Sequence, residues 1–130
     1  MGGAEASRIG RGVEREVAAR LSDAGWTVLG TNVRCGRAEL DLVAVDPGPP
    51  AALVVVEVRW RRSRRFGLPE ETLDARKRGH LREGLGWLLE HGALPDGRPL
   101  PHLPPRIDLV ADEPGPGGGL RLRHHRGVGG

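Results

Sequence analysis

The chain has 130 residues, 38% apolar and 28% charged, which leaves room for one domain whose core buries roughly two-thirds of the unfolded surface. Lys+Arg number 20 against 17 Asp+Glu, a net charge of only +3, and every cation except Lys77 is arginine, a skew that accompanies 21 Gly and 11 Pro and reads first as GC-rich coding. The one cysteine, Cys35, excludes an intrachain disulfide and a Cys-based zinc cluster and fits a reducing compartment. With no apolar run in MGGAEASRIG, and with the longest run, Ala51 to Val56, far short of the ~20 residues that span a bilayer, the expectation is a cytoplasmic protein that does not enter a membrane.

In chain order, Val13 to Ala24 carries Val17, Ala18, Leu21 and Ala24 at helical spacing and Gly25 stops it. Trp26 to Leu29 reads as a short strand. Glu39 to Val45 alternates acids with apolar residues, Asp46-Pro-Gly-Pro-Pro50 breaks the chain, and Leu53 to Arg59 resumes as a β-branched run, so the spacing predicts a hairpin with a strongly buried second strand. A second helix is expected from Glu70 to Glu90, with Leu73, Leu81, Leu85 and Leu88 on its apolar side and Gly92 as its stop. Five prolines between Pro95 and Pro105 make a stiff surface connection to a strand at Ile107 to Ala111. Residues 112–130, Gly-rich and basic, read as an extension holding one edge strand at Leu120 to Arg123 before fraying. The order of elements predicts a mixed α/β sheet covered by helices.

Glu57 interrupts Leu53-Val-Val-Val-Glu-Val-Arg59, whose apolar density implies burial on both faces, where an isolated carboxylate costs several kcal/mol or stays protonated. Alternation puts Arg59 on the face of Glu57, and Glu39 and Asp41 together on one face of the preceding strand. A register pairing Asp41 with Glu57 brings their Cβ atoms about 4.5–5.5 Å apart. Such a pair needs a proton or a divalent cation between its members, unless Glu57 is simply ion-paired with Arg59 or a nearby Arg. On the first helix Glu14 lies within the Val17, Ala18, Leu21 stripe, whereas Glu16 and Asp23 fall on the opposite side. An acid in a first helical turn also favours the helix dipole. Three inward acids from separate elements are nonetheless what a hard cation requires.

Between Arg59 and Arg82 the local balance is +6, leaving −3 for the rest. Arg59, Arg61, Arg62, Arg64 and Arg65 fall within seven residues, with Trp60 and Phe66 interleaved, a patch suited to phosphate oxygens and base stacking as well as to a plainly solvated face. Lys77 falls near the apolar stripe of the second helix, from which it can reach the same site. The histidines show no ligand spacing, and Gly10 and Gly12 are too sparse for a phosphate loop.

With those residues in hand, the chain resembles the bacterial YraN-like family, an uncharacterised group related to the PD-(D/E)xK nucleases and similar in motif order to archaeal Holliday-junction resolvases. The residues that carry the resemblance are Glu14 with Leu21 and Gly25-Trp26, Asn32-Val-Arg34, Ala38-Glu-Leu-Asp-Leu-Val-Ala44, Val55-Val-Glu-Val-Arg59, Phe66-Gly67, Lys77 and Arg106-Ile-Asp108, within about residues 8 to 111. The resemblance implies a restriction-endonuclease-like three-layer core, with a mixed central sheet flanked by helices. It also implies an endonuclease acting on DNA phosphodiester bonds, with Glu14, Asp41 and Glu57 as catalytic acids and ligands of Mg²⁺ or Mn²⁺, and Arg59 at the motif lysine position. Arg61, Arg62, Arg64, Arg65 and Lys77 are the expected nucleic-acid contacts, DNA being favoured over RNA, and a homodimer is compatible with the pattern. The alternative is a non-catalytic nucleic-acid-binding protein of the same fold. The chain departs from the family at Ala38, where Gly is usual, and at Arg59, which keeps the charge of Lys but cannot deprotonate.

Overall fold

The structure, a computed structural model, describes residues 2–129, with side chains described from residue 10 onward. Its elements are α1 (Gly2–Asp23), β1 (Thr27–Cys35), β2 (Ala38–Asp46), β3 (Ala52–Trp60), a 3₁₀ turn (Pro69–Thr72), α2 (Ala75–His91), β4 (Pro105–Pro114), a second 3₁₀ turn (Pro116–Gly118) and β5 (Leu120–His125). The five strands form one sheet in the order β1-β2-β3-β4-β5. β3 and β4 pair in parallel and every other neighbouring pair is antiparallel. A parallel pair needs a crossover, which α2 supplies.

α1 covers one face. Val13, Val17 and Leu21, four residues apart and therefore on one side of the helix, pack with Leu42, Ala44, Val54, Val56 and Val110. α2 covers the other through Leu81 and Leu88, packed with Leu53, Val55, Ile107 and Leu109. It comes so close at Gly84 that an added Cβ would stand 2.7 Å from Leu40 and 3.1 Å from Ala38. The result is the three-layer α/β arrangement that the resemblance implies. β3, apolar toward both layers, is its central strand.

Several boundaries differ from those expected. α1 begins at Gly2, upstream of the apolar spacing that starts at Val13. β1 runs to Cys35 because pairing with β2 extends it past Leu29, where exposed Thr31, Asn32 and Arg34 are interleaved with buried Val33 and Cys35 and give no apolar run. α2 starts at Ala75 rather than Glu70, because Asp74 caps it by accepting from the Lys77 amide at 2.9 Å, and Glu70 belongs to the 3₁₀ turn. Its end is at Gly92, in the left-handed conformation at φ +62. The proline-rich connection is anchored by buried Leu94 and Leu100.

The sheet does not stop at Ala111. Asp112 and Glu113 are buried on β4, β5 pairs with β4 as the edge strand, and the segment expected to fray instead docks on α2. There Arg78 Nε donates to the Val128 carbonyl at 3.2 Å and Arg82 Nη1 to that of Gly129 at 2.7 Å. At the hairpin end of the sheet, Arg106 donates to both oxygens of buried Asp108, at 2.8 and 2.9 Å, and to Asp46 at 2.8 Å. His124 Nε2 and the Gly127 amide also meet Asp108, tying the chain end to the centre of the sheet.

Candidate functional site at the end of the central strand

β2 and β3 pair from Asp46↔Ala52 to Leu42↔Val56, and continuing that register sets Asp41 opposite Glu57. Beyond this point the strands part. Leu40 packs toward α2 and Leu42 toward α1, so β2 turns over through Asp41 between them. Asp41 Oδ2 then accepts from the Val58 amide at 2.8 Å, replacing a strand-to-strand bond with a side-chain one. The carboxyl is thus held in the gap between the strands, within reach of acids from both sides.

Glu14 approaches from α1 and Glu57 from β3. Burial, then the neighbouring Asp41 charge, pushes Glu14 up to about 7, with Asn32 opposing. Burial and Asp41 push Glu57 up to about 8, against the opposing pull of Lys77 and Arg59. Glu14 Oε2 and Glu57 Oε1 are buried without a hydrogen-bond partner. On its other oxygen, Glu57 Oε2, Arg59 Nε lies 3.0 Å away and Lys77 Nζ 3.6 Å away. The Arg59 N–H is out of line for a hydrogen bond, so this contact is Coulombic. Asp41 thus raises the pKa of both Glu14 and Glu57, and each of these two keeps an orphaned oxygen, which a proton or a hard cation would satisfy. The donor set therefore fits Mg²⁺ or Mn²⁺ in its chemistry. As they stand, among the described residues no three His, Cys, Asp or Glu side chains converge tightly enough to hold an ion.

Beside Glu57 opens a cleft of about 320 Å³ lined by Arg59, Thr72, Asp74, Arg76, Lys77 and His80. Lys77, Arg59 and the acids come together as a unit, with the cations on the open side. Arg76 and His80 were not assigned a role from the sequence, although His80 lies one helical turn beyond both Arg76 and Lys77, four and three residues on. Asn32, at φ +49 in β1, stands in the Asn32-Val-Arg34 motif but was assigned no role at the site from the sequence. A non-glycine residue at positive φ is uncommon, and Asn is among those that tolerate it.

The arginine run does not form one surface. Arg64 donates from Nε and Nη2 to the two oxygens of Glu113 at 2.8 and 2.9 Å, a bidentate pair that fastens the loop after β3 to β4. Arg123 binds the same Glu113 and also Glu70, at 2.6 and 2.8 Å, holding Glu70 down at about 2. Arg64, though exposed, is therefore ion-paired within the chain, while Arg62 and Arg65 are exposed and Arg61 partly so. Trp60 packs partly buried against the α1-side core, leaving Phe66 as the exposed aromatic of the run. Among the described residues no helix is long and apolar enough to cross a membrane.

Fold and site together define a three-layer α/β protein with a carboxyl cluster at the end of its central strand and a cationic cleft beside it. The chain belongs to the uncharacterised protein family UPF0102, the YraN-like family, whose model matches residues 13–111. It is 39% identical to the UPF0102 protein STH1475 of Symbiobacterium thermophilum over 117 residues, 89% of this chain and 91% of that one. To the UPF0102 protein FRAAL5785 of Frankia alni it is 36% identical over 123 residues, 92% of each chain. To the UPF0102 protein SCO5602 of Streptomyces coelicolor it is 39% identical over 122 residues, 92% of this chain and 87% of that one.

Proposed function

We propose that this protein is a divalent-cation-dependent endonuclease acting on DNA phosphodiester bonds in the cytoplasm, branched or otherwise structured DNA included. The observation that carries this reading is the pair of orphaned buried oxygens, Glu14 Oε2 and Glu57 Oε1, flanking Asp41 beside a cleft lined by Arg59, Arg76 and Lys77. Binding a polyanion gains nothing from buried negative charge, whereas a hard cation needs it. Glu14, Asp41 and Glu57 would hold Mg²⁺ or Mn²⁺, which when bound supplies Lewis acidity and lowers the pKa of a coordinated water. Asp41, fixed by the Val58 amide, keeps the set in register. The cleft cations draw a phosphate against the acids. As a water oxygen bonds to phosphorus, giving its proton to solvent, and the ester P–O bond breaks, the leaving oxygen taking a proton from solvent, Arg59 would stabilise the charge that builds on the phosphate oxygens, a role that needs a fixed cation and does not make Arg59 the proton acceptor.

The test is cleavage of supercoiled and branched DNA with Mg²⁺, with Mn²⁺ and with EDTA. Nicking that EDTA and Asp41→Asn both abolish is expected. Binding without cleavage on every substrate selects the second reading, a non-catalytic nucleic-acid-binding protein of the same fold. One observation favours that reading: Arg59 and Lys77 already supply Glu57 with internal counterions at 3.0 and 3.6 Å.

A further inference from the structure

Phe66 is the only phenylalanine of the chain and is 77% exposed, the most exposed large apolar side chain among the described residues. Its exposure comes from a loop that is pinned on both sides. Arg61 N donates to the Asp112 carbonyl at 3.0 Å, Arg64 grips Glu113, Gly67 N returns to the Arg64 carbonyl at 3.1 Å and Leu68 N donates to Glu71 Oε1 at 3.0 Å. Gly67 sits at φ +109, where a Cβ would also strike Glu71 Oε2 at 2.9 Å, so the turn that presents the ring is built around a glycine. The loop leaves the sheet after Trp60 and returns to Thr72; Thr72 and Arg59, the last-but-one residue of β3, line the cleft beside Glu57. Phe66 therefore belongs to a loop bordered at both ends by residues of the candidate site.

The surroundings of the ring decide its partner. The Arg65 guanidinium lies 5.4 Å from the ring centroid, and Arg61 and Arg62 lie in the same loop. An apolar protein partner needs a contiguous apolar patch, and the one other large apolar side chain exposed among the described residues, Leu89, is near the far end of α2. A lone aromatic among arginines suits a flat ring attached to phosphates. We infer that Phe66 is a stacking platform for an unpaired nucleobase, so that the preferred substrate carries single-stranded or branched nucleic acid next to the phosphate held in the cleft. This deepens the nucleic-acid reading above and rests on it. In a continuous duplex both faces of each internal base are already stacked, whereas an unpaired base has a face to offer.

The experiment is equilibrium binding by fluorescence anisotropy in EDTA, where cleavage plays no part, using a blunt DNA duplex and the same duplex with a short unpaired tail. The parent should bind the tailed probe roughly five- to 150-fold more tightly, the worth of one stacked base. Phe66→Ala should lose that preference while keeping its affinity for the blunt duplex, and Phe66→Trp should restore it. An exposed ring contributes little to folding, and an unchanged thermal midpoint checks this for Phe66→Ala. Equal affinity of the parent for both probes, or equal losses on both in Phe66→Ala, overturns the inference and leaves the nucleic-acid reading standing. Conversion of a dimer to a monomer by Phe66→Ala, with the preference unchanged, overturns it in favour of contact between copies. If the parent binds neither probe, the nucleic-acid reading falls and the stacking platform with it.

Discussion

Asp41 Oδ2 accepts the Val58 amide at 2.8 Å where the pairing of β2 with β3 gives out, so one carboxylate both closes the sheet and faces Glu57 and Glu14. Asp41→Asn keeps an acceptor for that amide and removes the charge. It should fold normally while losing the heat of Mn²⁺ binding measured by titration calorimetry, and identical heats for variant and parent would refute the site. Asp41→Ala leaves the Val58 amide unpaired as well, and should cost about 1–3 kcal/mol in stability.

Arg59 separates turnover from binding. If a fixed cation is all the site requires, Arg59→Lys cleaves at least as well as the parent, and Arg59→Ala loses on the order of 10²-fold or more in rate with DNA affinity largely kept. If a proton-accepting lysine is indispensable, the parent is silent and Arg59→Lys switches cleavage on. Single-turnover assays on supercoiled DNA decide between these.

The loop after β3 divides its arginines by task, and salt dependence reads the division. The Arg61→Ser, Arg62→Ser, Arg65→Ser triple variant should flatten the plot of log affinity against log salt, by up to about 0.9 for each phosphate contact removed. Arg64→Ser should instead lower the thermal midpoint, because it releases the loop that the bidentate pair anchors to β4, Glu113 keeping only Arg123. A triple variant with the parental slope would make the run a solvated face and no more.

Asp112 is fully buried with neither carboxyl oxygen hydrogen-bonded, and burial pushes it up to about 8, the nearby charges of Arg20, Glu16 and Arg123 being secondary. The folded pKa lies above the unfolded value near 4, so between the two the unfolded chain is the one that has given up its proton. Stability should therefore fall as pH rises from about 4 to about 8 and level off above. Urea titrations of parent and Asp112→Asn should diverge in favour of the variant across that window, by a few kcal/mol at most. A gap independent of pH would contradict the buried, neutral carboxyl.

Asp108 has the opposite sign. Burial alone would raise it, but His124, Arg106 and the Gly127 amide hold it at about 2. Its contribution is present above its unfolded pKa and is lost as pH falls through about 2. Arg106→Ala removes the shared guanidinium of two buried carboxylates, Asp108 and Asp46, which keep weaker partners, and should cost up to about 3–5 kcal/mol at pH 7. In urea titrations that cost should shrink as pH falls toward 2, where Asp108 gains its proton; a cost that stays constant would show that the carboxylates do not carry it.

The order of elements, the hairpin around Pro47 to Pro50, the buried strand at Leu53 to Arg59 and the inward side of Glu14 were all legible in the residues, because two- and 3.6-residue periodicities and Gly/Pro punctuation are local signals. The family too was legible, from short motifs in a fixed order. Tertiary structure alone decided the rest. β1 is long because β2 pairs with it, and its own residues give no apolar run. Arg64 and Arg65 are neighbours of one residue type, yet Arg64 closes on Glu113 from β4, forty-nine positions on, while Arg65 stays in solvent. The reach of Lys77 to Glu57 depends on where α2 crosses the sheet, which Gly84 permits by letting helix and strand approach. Charge runs and carboxylates announce their chemistry in a sequence; which charge meets which is set by packing between distant segments, and only the folded chain contains that information.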